Sequence, residues 1–189
     1  MVLGSMVICI ALFLCVCLGK GLLLHWQYPN PKIQTYAYGE TAQVGAFEIT
    51  FFRWQWDDGS WIRNTFPDYA ENEFHTSTGE NIGEIRVGII ELQIQKVEES
   101  DTFFQVANIA FASGAWGNQF DMELFYKLNP DLPSMALDLE VGQTQKIVLP
   151  LVMRELQFTE KQWERIDDRV FYIDLKYYPE HIRFEIENK

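Results

Sequence analysis

Histidines, carboxylates and aromatic rings are the side chains here with the types to do chemistry, and spacing decides what each set can do. His25, His75 and His181 stand far apart, without the HxH or HxxxH spacing that brings two imidazoles to one metal ion. Cys9, Cys15 and Cys17 all fall in the first 24 residues, so the remainder has neither a thiol nucleophile nor a disulfide framework. There is no GxSxG elbow and no glycine-rich phosphate loop. Asp68, Glu71 and Glu73 have the charge for calcium, but they match no known loop and lack its turning glycine. Acid pairs for glycoside hydrolysis must approach within a few ångströms in space, which spacing along the chain does not establish. The expectation is therefore no catalytic residue, no metal and no cofactor.

Aromatic residues are the more pointed set. Phe52, Trp54 and Trp56 alternate along one segment, with Trp61, Phe66 and Tyr69 just beyond it. Flat rings in a row stack on sugar faces or anchor a protein partner. Trp54, Trp56, Trp61, Phe66 and Tyr69 are accordingly the candidate partner-binding residues. The competing assignment is structural: Phe47, Ile49 and Phe51 make the opposite face apolar too, as in a strand buried on both sides. In that case the 61–84 segment folds over the strand, and Trp61 caps the core.

Charge narrows the partner class. Fifteen Lys and Arg against 27 Asp and Glu leave a formal charge of −12. Such a surface repels phosphate backbones and anionic lipid faces, so nucleic acid is not an expected partner. The acids are interspersed with apolar residues, as in a solvated folded domain and not a disordered tail.

The chain opens on an apolar run. Val2 to Leu24 has one charge, Lys20, near its outer end, and Trp26 and Tyr28 follow at the position of interfacial anchors. A spanning helix needs about 20 such residues. Residues 1–24 are read as a transmembrane anchor or uncleaved signal, because a basic start is missing and Leu22-Leu23-Leu24 run past the nearest cleavage-like site. Residues 25–38, with Pro29 and Pro31, form a linker, and 39–189 an extracytoplasmic domain.

Alternation within that domain predicts about eight strands. They include 47–57, 85–97, 103–112, 120–127, 135–141, 146–152, 170–178 and 182–187, separated by turns such as Asp57-Asp58-Gly59-Ser60. Pro150 has no N–H for a ladder, so its strand belongs at an edge or bulges there. Residues 61–84 read as a long loop. One helix is expected, from Glu160 to about Asp168, with Thr159 and Gln162 as a capping box and Phe158 and Trp163 as the hydrophobic staple. The predicted fold is mostly β: an immunoglobulin-like antiparallel sandwich with one short inserted helix, preceded by an N-terminal transmembrane helix.

The strand opening GETAQVGAFEITFFRW and the segment LEVGQTQKIVLPLV carry a resemblance. In the latter, the turn Val141-Gly142-Gln143 precedes the apolar run Ile147-Val148-Leu149. From Gly39 to Ile186 the pattern resembles immunoglobulin-like β-sandwich domains of membrane-anchored Gram-positive surface proteins of unknown function. The resemblance implies a location at the cell membrane with the domain on the extracytoplasmic side, and transfers no catalytic residue. Together these readings point to a non-catalytic binding or accessory module. It would be held to the membrane by its N-terminal helix and would recognise a membrane-complex protein or a cell-wall partner. The rival is a cell-surface hydrolase using carboxylates on cell-wall glycan.

Overall fold

The computed structural model describes residues 2–75, 78–80 and 82–187, with residues 2–12 and His25 described in their backbone alone. The chain divides into two units, Met1–Lys32 and Ile33–Lys189. The first is dominated by α1 (Val2–Gln27), a continuous helix of unbranched and branched apolar residues that ends just before Pro29 and Pro31. The first half of the expected span over 1–24 falls on side chains outside the described set. Among the described residues, no helix is long and apolar enough to cross a membrane.

The second unit is mostly β. Its strands are β1 (Lys32–Tyr36), β2 (Thr41–Val44), β3 (Phe47–Asp57), β4 (Ile85–Lys96), β5 (Phe104–Gln105) and β6 (Ala110–Ser113). They continue with β7 (Trp116–Asn118), β8 (Ala136–Leu137), β9 (Thr144–Arg154), β10 (Phe171–Lys176) and β11 (Glu180–Ile186). Among the described residues four short helices are interspersed: α2 (Ser60–Thr65), α3 (Pro67–Glu73), α4 (Met122–Leu128) and α5 (Glu160–Trp163). One sheet has the order β1-β11-β10-β6-β7 and the other β2-β3-β4-β9; β5 and β8 form a small pair. Inward residues of both large sheets, among them Phe51, Ile90, Leu92, Leu149, Phe111, Ile173 and Phe184, share one core. This is the expected sandwich.

β4 behaves as its alternation predicts. Ile90, Leu92 and Ile94 are fully buried on the inner face, while Glu91, Gln93 and Gln95 face outward. β9 is an edge strand, as Pro150 required. On its open side, Asn129 replaces a neighbouring strand: its Oδ1 accepts from Val148 N–H at 2.8 Å, and its Nδ2 donates to Val148 O at 2.8 Å. Pro150 lies two residues on, where the missing N–H would also point outward, and its carbonyl accepts from Asp121 N–H.

Four expectations are overturned. The strand over 103–112 is split into β5 and β6 by a 3-10 turn at Val106–Asn108, and the two pieces join different sheets. Residues 120–127 form no strand: Asp121 caps α4, its carboxylate accepting from Leu124 N–H at 2.8 Å. The strand over 135–141 shrinks to Ala136–Leu137. The 61–84 segment is no featureless loop but begins as the helix pair α2–α3, with Pro67 at the start of α3, where a missing N–H costs nothing. The inserted helix is thus one of four among the described residues. It is short, continuing after α5 into a 3-10 turn at Ile166–Asp168. Its cap and staple are both present: Gln162 Oε1 accepts from Thr159 N–H at 3.0 Å, and the Phe158 and Trp163 rings lie 5.7 Å apart.

The helix pair covers the outer face of the β2-β3-β4-β9 sheet. Ile62, Tyr69, Ala70 and Phe74 pack on Ile85 and Val87 of β4, joined by Leu124 of α4 and Val152 of β9, as a second apolar core. One half of this sheet is therefore buried on both faces.

Candidate functional site

The five candidate aromatics do not form one surface. Between Phe51 and Arg53 the β3–β4 register slips: Phe51 pairs with Leu92, but Arg53 pairs with Glu91 and Trp54 with Ile90. Phe52 is the extra residue of a β-bulge, so the alternation reverses there. Trp54 and Trp56, expected opposite Phe51, turn to the same inner face. Phe52 alone stays outside, with Lys146 Nζ 4.4 Å from its ring centre.

Once turned inward, Trp54 and Trp56 begin a chain of rings closing one end of the sandwich. Trp54 lies 5.5 Å from Trp56, Trp56 5.6 Å from Phe171, Phe171 5.9 Å from Trp116, and Trp116 5.5 Å from Phe158. Phe158 in turn meets Trp163. The indoles are anchored by charge. Trp56 Nε1 donates to Asp167 Oδ1 at 2.7 Å, and Trp163 Nε1 donates to Glu84 at 3.1 Å. Arg86 lies over the Trp163 ring and bonds Asp167 at 3.0 Å. The polar tips of Trp56 and Trp163 are thus both partnered.

Trp61, Phe66 and Tyr69 lie on the other side of the sheet, on the α2–α3 pair. The turn into α2 depends on Gly59, at φ +85°, where a Cβ would stand 2.2 Å from Ile85 Cδ1. The Ser60 hydroxyl lies 3.1 Å from Asp57 Oδ1, and its N–H donates to Asp58 Oδ1 at 2.9 Å. Hydrogen bonding from Ser60 holds the Asp58 carboxyl below the ordinary carboxylate range. Asp57 Oδ2 accepts the Trp61 N–H at 3.1 Å, which fixes the start of the helix.

The three rings then have different fates. Tyr69 is buried, and its hydroxyl has no hydrogen-bond partner among the described residues. Burial first, and the nearby Asp121 charge second, raise its pKa above the ordinary tyrosine value. Phe66 is half-buried against the second core. Trp61 is 37% exposed and belongs to neither core, with its ring edge-on to Phe66 at 6.0 Å.

Beside the hairpin is a charged cleft of about 590 Å³ with Asp58, Arg63, Glu84, Arg86 and Glu155 on its walls. Its acids are engaged. Glu84 holds the Trp163 indole, Glu155 accepts from Glu84 N–H at 3.0 Å, and Asp58 accepts from Ser60. The acids of α3 are placed separately: Glu73 pairs with Arg154 at 2.7 Å, Glu71 lies 3.7 Å from His75, and Asp68 is exposed. Among the described residues, no three His, Cys, Asp or Glu side chains gather around a metal position.

One polar group was missed from sequence. Asp174 is buried, its carboxylate bonded to His181 Nε2 and to the Tyr177 hydroxyl at 3.1 Å. Burial, then the Asp174 charge, push the Tyr177 pKa up to about 12. His181 is thereby a partnered residue of the β10–β11 hairpin. An acid inside the apolar run of β10 was the only signal available.

Residues 64–182 match the family described as Domain of unknown function (DUF5028). The chain belongs to this family. For DUF5028 the matched span takes in Phe66, Tyr69 and the capped helix, and begins after Trp54, Trp56 and Trp61. No curated protein matches the chain. Among solved structures it is similar to a functionally unknown protein from Listeria monocytogenes EGD-e, at 10% identity and a TM-score of 0.47, over 79% of this chain and 82% of that one. It is also similar to an uncharacterised β-sandwich protein from Clostridium difficile 630, at 11% identity and a TM-score of 0.42, over 83% of this chain and 96% of that one.

Proposed function

We propose that this chain is a non-catalytic binding module, tethered to the cell membrane by α1 with its sandwich on the extracytoplasmic side. The partner is a protein of a membrane complex or a component of the cell wall. Tethering rests on the apolar run Val2–Leu24 and its aromatic border, and the immunoglobulin-like, Gram-positive character rests on the sequence resemblance. Recognition rests on one observation: Trp61 is exposed on an ordered helix, outside both cores. A ring held in place at low entropic cost is the usual form of a binding anchor.

The test is capture of cross-linked partners from intact cells by the wild-type chain and by Trp61→Ala. Capture should weaken by about 2 kcal/mol or more, the hot-spot scale, with the melting temperature nearly unchanged. Lost stability with capture intact would refute the assignment. Topology has its own test: protease added to intact cells should digest the domain and leave a small embedded stub, whereas a protected domain would reverse the orientation. The glycan-hydrolase reading is weaker, because the acids of the charged cleft are tied to indole and backbone donors and the Asp58 carboxyl is held below its ordinary range, away from a general acid. Turnover of a cell-wall substrate, lost on one acid-to-amide change, would restore it.

A further inference from the structure

The bulge at Phe52 also turns Trp54 toward an open cleft of about 440 Å³. Phe51 and Ile186, both buried, form its floor, and Ala37, Tyr38 and Trp54 line its sides. Room for the Trp54 ring comes from Gly88, the one residue of β4 without a side chain: a Cβ there would stand 3.4 Å from Trp54 Cζ3. Glycine inside a strand weakens it, and such a position marks close approach of another group. The Tyr38 ring is set at 79° to that of Phe51, with centres 5.4 Å apart, and is 60% exposed. Its backbone is nevertheless held. Gly39 N–H donates to Phe51 O at 2.9 Å, Phe51 N–H returns to Glu40 O at 3.3 Å, and Ala37 N–H donates to Glu40 Oε2 at 2.6 Å. Trp54 is braced by Trp56. Both ring walls are therefore in place before any ligand arrives.

The walls carry donors but no charge turned to the rings. Trp56 and Trp163 spend their indole N–H groups on carboxylates, whereas Trp54 Nε1 has no acceptor among the described residues and is not sealed from solvent. The exposed Tyr38 hydroxyl has no partner among them either. Glu185 alternates with the buried Phe184 and Ile186 and pairs with Tyr172, so its carboxylate is on the outer face of its sheet, away from Phe51 and Trp54. Glu187 is already partnered. A cation thus finds no free acid at the rings, and an anion finds no basic side chain in the lining of a chain of charge −12. A ligand of carbon alone would strand the indole N–H away from water. What remains is a neutral molecule with an apolar face and oxygen acceptors. A sugar ring has both, in its C–H groups and its hydroxyl rim. The volume falls within the usual range for small-molecule pockets, about 300 to 1,000 Å³. A proline-rich peptide also suits aromatic walls, but it fills a series of apolar seats, and this cleft has one floor between two rings.

We propose that this cleft binds a neutral sugar ring, stacked on Tyr38, with Trp54 Nε1 donating to one of its oxygens. The site is separate from Trp61, so failure here leaves the partner-capture reading standing, and the reverse. The experiment titrates the full chain, kept in a polyoxyethylene detergent free of sugar, with chitotriose and separately with cellotriose, following tryptophan fluorescence and calorimetry. Saturable binding of at least one is expected. Tyr38→Ala should weaken it by about tenfold, as the loss of a stacked ring implies, with the melting temperature unchanged. Trp54→Phe keeps a ring over Gly88 and removes only the donor, so it should weaken binding by about three- to tenfold. Its result is readable even if Tyr38→Ala perturbs the turn. Trp61→Ala should bind the sugar as the wild type does. N-acetylglucosamine in place of chitotriose tells the sources apart: weaker binding points to a polymeric glycan, and equal binding to a free sugar. Either upholds the cleft. Absence of saturable binding of both trisaccharides, binding indifferent to both cleft substitutions, or tighter binding of polyproline than of either sugar would overturn it.

Discussion

Trp56 and Trp61 are close in sequence but lie on opposite sides of one sheet, and their surroundings differ in kind. Trp56 is enclosed by rings and its indole N–H is spent on Asp167. Among the described residues Trp61 has a single ring neighbour, Phe66, and water covers more than a third of its surface. The sandwich end is thus a region where aromatic area has been converted into stability, and the α2 surface one where such area is left for contact. A residue's type does not separate the two uses; the number of its faces in contact does.

The largest effect that would break this contrast is at the enclosed end. Trp163 is 7% exposed, so Trp163→Ala should destabilise by about 3 to 5 kcal/mol in denaturant unfolding. A loss near zero would mean that the ring chain is not a core. Next is the hinge that sets the outer region against the sheet. Gly59→Ala combines left-handed backbone with a clash on Ile85, and should cost more than about 1 kcal/mol. Its hydrogen-exchange signature should be loss of protection in α2 and α3 before β4. Uniform loss would show that the hairpin and sandwich open as one unit.

Local capping is weaker. Thr159→Ala should cost about 1 kcal/mol, and its effect should be confined to α5 and the turn after it. Alkali probes the two regions through their tyrosines. Tyr177 and Tyr69 both have folded pKa values above the ordinary 10.0, so the folded state holds their protons longer than the unfolded chain does. Their contribution is complete below pH 10, and is lost as pH rises through the folded value, about 12 for Tyr177. Tyr177→Phe should flatten part of the stability decline between those limits. An unchanged decline would assign it to Tyr69 or another group. The smallest stability effect should be at Trp61: its alanine variant should lie within about 0.5 kcal/mol of wild type, as for surface changes generally. A loss on the Trp163 scale would erase the contrast.

Much of the frame was legible along the chain because it depends on neighbours in sequence. The alternation of β4 follows from a period of two against one buried face, and the edge position of β9 from a proline with no N–H. The Thr159–Gln162 cap and the Phe158–Trp163 staple are contacts within one turn. So too is the Asp57-Asp58-Gly59-Ser60 turn. Signals for α3 and α4 were present as well, in Pro67 at a helix start and Asp121 at a cap, but short apolar runs fit helix and strand equally well.

What sequence by itself determined was a β-rich, acidic domain behind an apolar opening, with its turns and one capped helix. The tertiary structure decided where the aromatic residues point. Phe52 bulges because of how β3 pairs with β4, a strand more than thirty residues away, and no residue beside Phe52 encodes that slip. One unpaired residue reverses every side chain after it. The same long-range packing decided that Tyr69 is buried while Trp61 is not, since only the sheet under the hairpin tells the two faces of those helices apart.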